Sequence, residues 1–145
     1  MRISDVLHSK AQGETVVTVR PETTVRDLIA LLDQHNIGAV VVSTDDNPVA
    51  GIVSERDIVR GLVTGVGLLD ETVDAIMTHE VQTTTPRDSV HDLMKLMTEH
   101  RIRHVPVVSD GELHGLVSIG DVVKHRIGEL EFERDQLTSY VSHAQ

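Results

Sequence analysis

The sequence lacks cysteine and tryptophan and contains only one phenylalanine and one tyrosine. Without cysteine the chain can form no disulfide and offers no thiolate nucleophile or cysteine-based metal site. The scarcity of aromatic rings disfavours single-stranded nucleic acid as a ligand, because its bases normally stack on such rings. Long apolar runs are absent as well, so we expect no membrane-spanning helix.

Positive charge is also scarce, since 13 basic residues face 23 acidic ones and the net charge is −10. The overall field therefore disfavours nucleic acid and anionic membranes as partners, although it leaves room for a local basic pocket. The first residues, Met-Arg-Ile-Ser-Asp, lack the apolar run of a signal peptide. From these features we expect a cytoplasmic protein with no nucleic-acid or membrane partner.

Valine is abundant, with 23 residues, and the chain repeats itself. Residues 21–42 align with residues 86–107, and Gly-Ile-Val-Ser-Glu-Arg-Asp at 51–57 aligns with Gly-Leu-Val-Ser-Ile-Gly-Asp at 115–121. A shorter match relates residues 3–7 to residues 73–77. The valines favour buried strands covered by helices, and the repeat predicts two copies of one structural unit.

Each copy has the same predicted order of elements, strand–helix–strand–strand–helix. The predicted strands are residues 15–19, 39–43 and 49–54 in the first copy and residues 81–85, 104–109 and 113–118 in the second. The last helix of each copy is predicted to begin at Asp57 or Asp121. We therefore expect an α/β (α+β) fold in which two βαββα repeats pack with pseudo-twofold symmetry.

These motifs resemble tandem cystathionine-β-synthase-type (CBS) domains, a pair also called a Bateman module. The resemblance rests on the two heptapeptides, on His-Arg-Ile-Arg-His-Val-Pro-Val-Val at 100–108 and on Asp-Ala-Ile-Met-Thr at 74–78. It implies the CBS-pair fold, with a first domain at residues 8–66, a second at 74–131 and a helical tail at 132–145. It also implies a ligand-binding regulatory module for adenine nucleotides, commonly assembled as a homodimer.

In each repeat a serine follows a buried strand and an aspartate stands three residues later, as Ser54 and Asp57 or as Ser118 and Asp121. A carboxylate can accept both hydroxyls of a ribose, and a serine hydroxyl beside a helix N-terminus can bind a phosphate. Simple helix capping is the alternative role of both aspartates. The recurrence and the resemblance together favour ribose contact.

The repeats differ before their core strands, where Arg103 and His104 correspond to Gly38 and Ala39. The resemblance implies that basic residues at this place meet phosphates and pair with the ribose aspartate of the other repeat. A solvated surface arginine and a partly buried structural histidine are the alternatives. We expect a first nucleotide site formed by Ser54, Arg56, Asp57, Arg103 and His104.

The second predicted cleft combines Ser118 and Asp121, with Thr78 and Val81 lining the space for the base. The first repeat supplies no positive charge at the place of Arg103, so this cleft should prefer a nucleoside, bind phosphate weakly or stay empty. Adenine in either cleft would lie among aliphatic side chains whose alternative role is ordinary core, namely Val16, Ile37, Val81 and Ile102.

The predicted function is that of a stand-alone CBS-domain pair that binds AMP, ATP or an NAD-like adenylate and signals energy state to a separate effector protein. The sequence shows no nucleophile–base arrangement, P-loop or dinucleotide fingerprint, so we expect no enzyme activity and no catalytic residue. Nine scattered histidines without cysteine predict no metal site and no cofactor. The alternatives are an interaction module without ligand and an accessory of a nucleotide-linked enzyme.

The chain after Asp121 is predicted to be one helix to about Ser142. Its apolar residues follow one stripe interrupted by Arg134, namely Val123, Ile127, Leu130, Leu137 and Val141. This helix could pack back on its own domain or contribute to the homodimer.

Overall fold

The computed structural model describes residues 1–10 and 16–143. These residues form five α-helices, α1 (Ile3–Ser9), α2 (Val25–His35), α3 (Glu55–Leu62), α4 (Val90–His100) and α5 (Ile119–His143), with 3₁₀ turns at Val66–Asp70 and Val73–Ala75. The strands are β1 (Thr18–Val19), β2 (Ala39–Val42), β3 (Gly51–Ser54), β4 (His104–Ser109) and β5 (Glu112–Ser118). In this described part of the chain, no helix has the length and apolarity needed to cross a bilayer.

Each repeat contributes its own small sheet. In the first, β1 runs parallel to β2 and β2 runs antiparallel to β3. In the second, β4 and β5 are antiparallel, and Thr84 forms a single parallel bridge to Val107 where the first repeat has β1. The registers are equivalent, since Ala39 faces Ser54 and His104 faces Ser118. The predicted α+β fold of two βαββα repeats is confirmed.

The helices α2 and α4 show why the repeated sequence folds twice in the same way. Thr24 and Ser89 accept hydrogen bonds from the backbone N–H groups three residues later, at 3.2 and 3.0 Å, and thereby cap the two helices. Both helices end at a residue in the left-handed region, Asn36 at φ 51° and Arg101 at φ 54°. These equivalent helix ends direct the backbone of each repeat into its core strand.

The two hydrophobic cores exchange segments. Ile3 and Val6 of α1 are buried in the core of the second repeat, whereas Leu68 and Val73 are buried in the core of the first. The backbone N–H of Ile3 donates to the carbonyl of Asp88 at 2.9 Å, which fixes α1 against the second repeat. Neither repeat therefore completes its core from its own βαββα residues.

Several predicted boundaries shift in the structure. Residues 81–85 form no strand beyond the bridge at Thr84, and the helices predicted at Asp57 and Asp121 begin two residues earlier. Thr15 and residues 144–145 lie outside the described residues. The domain limits at 8–66 and 74–131 follow the repeats along the sequence, whereas each core also takes residues from outside its own range.

Candidate functional site

Both repeated serine–aspartate pairs form capping boxes. At the start of α5, the N–H of Ser118 donates to Asp121 Oδ2 at 2.9 Å, and the N–H of Asp121 donates to Ser118 Oγ at 3.1 Å. At the start of α3, the N–H and Oγ of Ser54 both donate to Asp57 Oδ2, at 2.9 and 3.2 Å. Ser54 and Ser118 therefore hold the N-cap positions, and the aspartates cap from the third helical position rather than from the N-cap itself. None of these hydrogen bonds uses Oδ1.

Lys10, at the C-terminal end of α1, brings a positive charge to Asp121. Its Nζ donates to Asp121 Oδ2 and to the carbonyl of Leu116, at 2.9 Å in each case. The exchange of α1 makes this contact possible, because Leu7 packs directly over Gly115 of β5. The sequence comparison considered only the core strands, where Gly38 and Ala39 supply no charge, and therefore missed this cation.

The environment of Asp121 favours its ionised form. Burial alone would raise the pKa of this carboxyl, but the hydrogen bond from the Ser118 backbone and the ammonium of Lys10 outweigh burial and lower the pKa below 3.8. Asp121 is therefore a carboxylate at neutral pH, even though its side chain is only 24% exposed.

A cleft of about 780 Å³ surrounds Asp121 and lies between the two repeats. This volume is in the range of about 300–1,000 Å³ that is typical of small-molecule sites. The apolar side chains that line it are Leu7, Val16, Val17, Ile37, Ala39 and Leu116. The polar and charged ones are Lys10, His35, Asn36, His104, His114, Ser118 and Asp121. The cleft thus joins apolar walls to a carboxylate, an ammonium and three imidazoles.

The site that combines His104 with Asp57 stays a prediction, but His104 also lines the cleft of Asp121. The reason is the antiparallel register, which sets His104 directly opposite Ser118. Burial lowers the pKa of His104 below 6.5, although the carboxylates of Asp121 and Glu55 act in the opposite direction. The imidazole is therefore neutral near pH 7 and can donate one hydrogen bond and accept another.

Thr78 lies beside β3 rather than in the cleft of Asp121, where the sequence placed it. It exchanges two backbone hydrogen bonds with Ile52, at 2.8 and 3.0 Å, in the strand that leads to Ser54. Val81, which was predicted for the same cleft, is half-buried and does not line it in the described part of the chain. The exchange of segments explains the position of Thr78, because this residue directly follows the second exchanged segment and stays with it beside the first repeat.

The remaining predicted residues belong to the start of α3 and to the turn before β4. Arg56 and Arg103 are exposed, and the carbonyl of Arg103 accepts a hydrogen bond from the N–H of Ile119 at 2.8 Å. Ile102 packs against the second core, whereas Ile37 both contacts the first core and lines the cleft. The grouping of Arg56, Asp57 and Arg103 in one nucleotide site stays a prediction.

Sequence reasoning missed Lys10, His35 and His114 as lining residues. His35 had a signal, since it aligns with His100 in the repeat, but Lys10 and His114 had none of their own. Within residues 1–10 and 16–143, no group of three or more metal-ligating side chains could hold a metal ion. The chemistry that the cleft offers is the binding of an apolar ring, of hydroxyl groups and of an anion.

Comparisons with known proteins agree with this architecture. The CBS domain family matches residues 3–64 and 73–128. The mitochondrial CBS domain-containing protein CBSX3 of Arabidopsis thaliana is 38% identical over 146 residues, which span 96% of this chain and 71% of that protein. The CBS domain-containing protein YhcV of Bacillus subtilis is 33% identical over 113 residues, which span 77% of this chain and 79% of that protein.

Solved structures show the same fold. The CBS-domain protein ATU1752 from Agrobacterium tumefaciens is 41% identical and matches with a TM-score of 0.81 over 87% of this chain and 99% of its own. The CBS domain protein PAE2072 from Pyrobaculum aerophilum, solved in complex with AMP, is 32% identical and matches with a TM-score of 0.72 over 83% of this chain and 89% of its own. With two matched domains and the paired fold, the chain belongs to the CBS domain family.

Proposed function

We propose that this protein is a regulatory module that binds an adenine nucleotide, AMP or ATP, in the cleft of Asp121. The observation that carries the proposal is the make-up of this cleft, in which aliphatic walls, an ionised carboxylate and an ammonium from both repeats meet. The AMP complex of the similar Pyrobaculum aerophilum protein supports an adenylate as the ligand.

The apolar side suits the adenine ring. Val16, Val17 and Ile37 are half-buried aliphatic side chains that line the cleft next to backbone of residues 36–39. Aliphatic side chains can cover both faces of a flat ring, and neighbouring backbone groups can hydrogen-bond its edge. An adenine in this place would touch the core of the first repeat through Ile37.

The carboxylate suits the ribose. Asp121 uses Oδ2 for Ser118 and Lys10, and its Oδ1 takes part in none of these contacts. Because the pKa of Asp121 is lowered, the side chain is ionised and acts only as an acceptor. It can therefore accept hydrogen bonds from the two ribose hydroxyls while its helix cap stays in place.

Lys10 and the imidazoles suit the phosphates. The Lys10 ammonium has three N–H groups, of which the structure uses two for Asp121 and Leu116. His104 is neutral near pH 7 and can donate one N–H to a phosphate oxygen. This local cation is the feature by which a protein of net charge −10 could attract a nucleotide anion.

We propose a second site at Asp57, with Ser54, Arg56 and Arg103. Its support is the repeat, because residues 35–39 line the cleft of Asp121 and correspond to residues 100–104. The equivalent cleft at Asp57 would then contain Arg103, with Thr78 beside the neighbouring strand. The signal would pass to a separate effector protein, to the degree that ligand binding favours one packing of the repeats over another.

Titration calorimetry with AMP, ATP, NAD and S-adenosylmethionine tests the proposal. We expect Asp121→Asn to weaken the preferred adenylate about tenfold to a hundredfold, the cost of a lost charged hydrogen bond. Asp88→Asn is the matched control, because Asp88 also accepts a hydrogen bond from a backbone N–H, that of Thr85 at 2.9 Å, and does not line the cleft. Thermal melts of both variants separate loss of binding from loss of folding.

A second comparison isolates the phosphate contact. Lys10→Met should weaken ATP more than adenosine, because only ATP carries the anion that the ammonium would contact. Equal weakening of the two ligands would refute the phosphate role of Lys10. Absence of binding for all four adenosine compounds would refute the sensor function and favour an interaction module without ligand.

A further inference from the structure

A second cavity, which we call the α5 groove, lies beside the cleft of Asp121. Its volume is about 800 Å³, close to that of the cleft, and both cavities are lined by Lys10 and Asp121. These two side chains form an ion pair at 2.9 Å, so the pair stands at the junction of the cavities. The other α5 residues of the groove recur every four positions and therefore share one face of the helix. They are Lys124, His125, Gly128, Glu129, Phe132 and Glu133.

We propose that the cleft and the α5 groove together bind one dinucleotide, with its adenosine in the cleft and its second nucleoside in the groove. The inference rests on the proposed function, since it extends the adenylate of that cleft. It names as ligand two nucleosides joined by a pyrophosphate rather than a mononucleotide. The shared ion pair carries it, because a ribose bound by Asp121 would direct its 5′ phosphate to Lys10, where the groove begins.

The groove presents its chemistry in the order of the parts of a dinucleotide. Measured from Asp121 along the axis of α5, Lys124 lies about 4.5 Å away, Glu129 about 12 Å and Phe132 about 16.5 Å, from the rise of 1.5 Å per residue. An ammonium suits the second phosphate, a carboxylate can accept both hydroxyls of the second ribose, and an aromatic ring can stack on its base. An extended pyrophosphate between two riboses can span the distance from Asp121 to Glu129.

The side chains at the far end of the groove are arranged for such a ligand. Glu129 is only 19% exposed, and its carboxylate lies 3.8 Å from His125 Nε2 and 3.6 Å from Arg126 Nη1, which hold it beside the groove. Phe132, the single phenylalanine of the chain, is 64% exposed. Between them and Lys124 the groove is open at Gly128, where an added Cβ would have no atom of the described residues within 4 Å.

Calorimetric titration of the full chain with ADP, ADP-ribose and NAD tests the inference step by step. ADP ends at the second phosphate, ADP-ribose adds the second ribose, and NAD adds the second ring. We expect the affinity to rise at each step, because each step adds a contact in the α5 groove. Binding of ADP with no gain for NAD would overturn the dinucleotide site alone. Absence of binding for all three would overturn the proposed function as well.

Two substitutions test the contacts assigned to the second nucleoside. Glu129→Gln should weaken ADP-ribose about tenfold relative to ADP, the cost of a lost charged hydrogen bond. Phe132→Ala should weaken NAD about fivefold or more relative to ADP-ribose, because it removes the ring on which the base would stack. Unchanged affinity ratios in both variants would overturn the assignment of the groove.

A third substitution blocks the groove without removing a contact of the folded chain. Gly128→Leu should reduce the affinity for NAD to that for ADP, because the leucine would occupy the open space between Lys124 and Phe132. Leucine is also a better helix former than glycine, so the variant should fold, and a thermal melt checks this. Thr138→Leu is the matched control, since it adds a leucine to an exposed position of α5 that does not line the groove. A full gain for NAD in folded Gly128→Leu would overturn the inference.

Discussion

The glycines that begin the two heptapeptides, Gly51 and Gly115, lie under the exchanged segments, and replacing each by alanine tests the exchange. A Cβ on Gly51 would lie 2.7 Å from Met77 Sδ and 2.9 Å from the carbonyl oxygen of Thr78. That carbonyl accepts a hydrogen bond from Ile52 at 3.0 Å, so it cannot retreat without losing the bridge. A Cβ on Gly115 would meet only the side chain of Leu7, whose Cδ2 is 2.7 Å away.

The two substitutions should therefore differ in their effect on the free energy of unfolding. Overpacking of a core costs about 1–3 kcal/mol, and loss of a backbone hydrogen bond costs about 1 kcal/mol more. We expect Gly51→Ala to destabilise the protein by about 2–4 kcal/mol on these grounds. Rotation of Leu7 can relieve the clash in Gly115→Ala, and alanine restricts the unfolded chain by about 0.4–1 kcal/mol, so the net loss should stay below about 1 kcal/mol.

Urea unfolding of the two single variants measures this difference, and double-mutant cycles locate its cause. Leu7→Ala should relieve most of the clash in Gly115→Ala, and the double-mutant cycle should show this relief as a coupling energy between the two positions. Adding Met77→Ala to Gly51→Ala should relieve the clash only in part, because the Thr78 carbonyl remains. Equal destabilisation by the two glycine substitutions, or full rescue by Met77→Ala, would refute the close approach of the exchanged segment to Gly51.

Three further predictions concern burial and pH. Ile3→Ala should cost about 2–5 kcal/mol in urea unfolding, because Ile3 is completely buried in the second core, whereas Val59→Ala on the exposed face of α3 should cost well under 1 kcal/mol. The folded pKa of His104 is below its ordinary 6.5, so the unfolded chain binds this proton more tightly than the folded chain does. The contribution of His104 to stability is therefore complete above pH 6.5 and is lost as pH falls below it. His104→Gln should flatten the pH dependence of stability in that range, and NMR titration of the ring measures the pKa directly. The folded pKa of Asp121 is below 3.8, so its contribution is present above pH 3.8 and is lost as pH falls through the folded pKa. Asp121→Asn should therefore reduce the acid dependence of stability in urea unfolding across that range.

The repeated order of predicted strands and helices made the fold predictable from the sequence. The bounds of β4, residues 104–109, match the prediction, because the polar turn at Asp110 ends the apolar run in the sequence and also ends the strand in the structure. The helix starts at Asp57 and Asp121 were displaced by two residues for a physical reason. Each aspartate reaches back to cap the residue three positions earlier, so it marks the inside of the first turn rather than its beginning.

The exchange of segments was not predictable from the same repeat. Residues 3–7 align with residues 73–77, and this similarity shows only that the two segments play equivalent roles. It does not show which core each segment fills, because both cores are lined by similar valines and leucines. The misplacement of Thr78 followed directly, since it was assigned to the repeat that it precedes in sequence.

Lys10 shows how this topology determines the charge of a cleft. Its position three residues after Leu7 corresponds to Glu80, three residues after Met77, so equivalent places in the two exchanged segments carry opposite charges. Lys10 reaches Asp121 across 111 positions of sequence, a distance over which no local pattern predicts a contact. A comparison of the core strands alone assigned positive charge to Asp57 and none to Asp121. Because the cleft of Asp121 takes Leu7 and Lys10 from the segment that docks beside it, its charge can be assigned only once the destination of that segment is known.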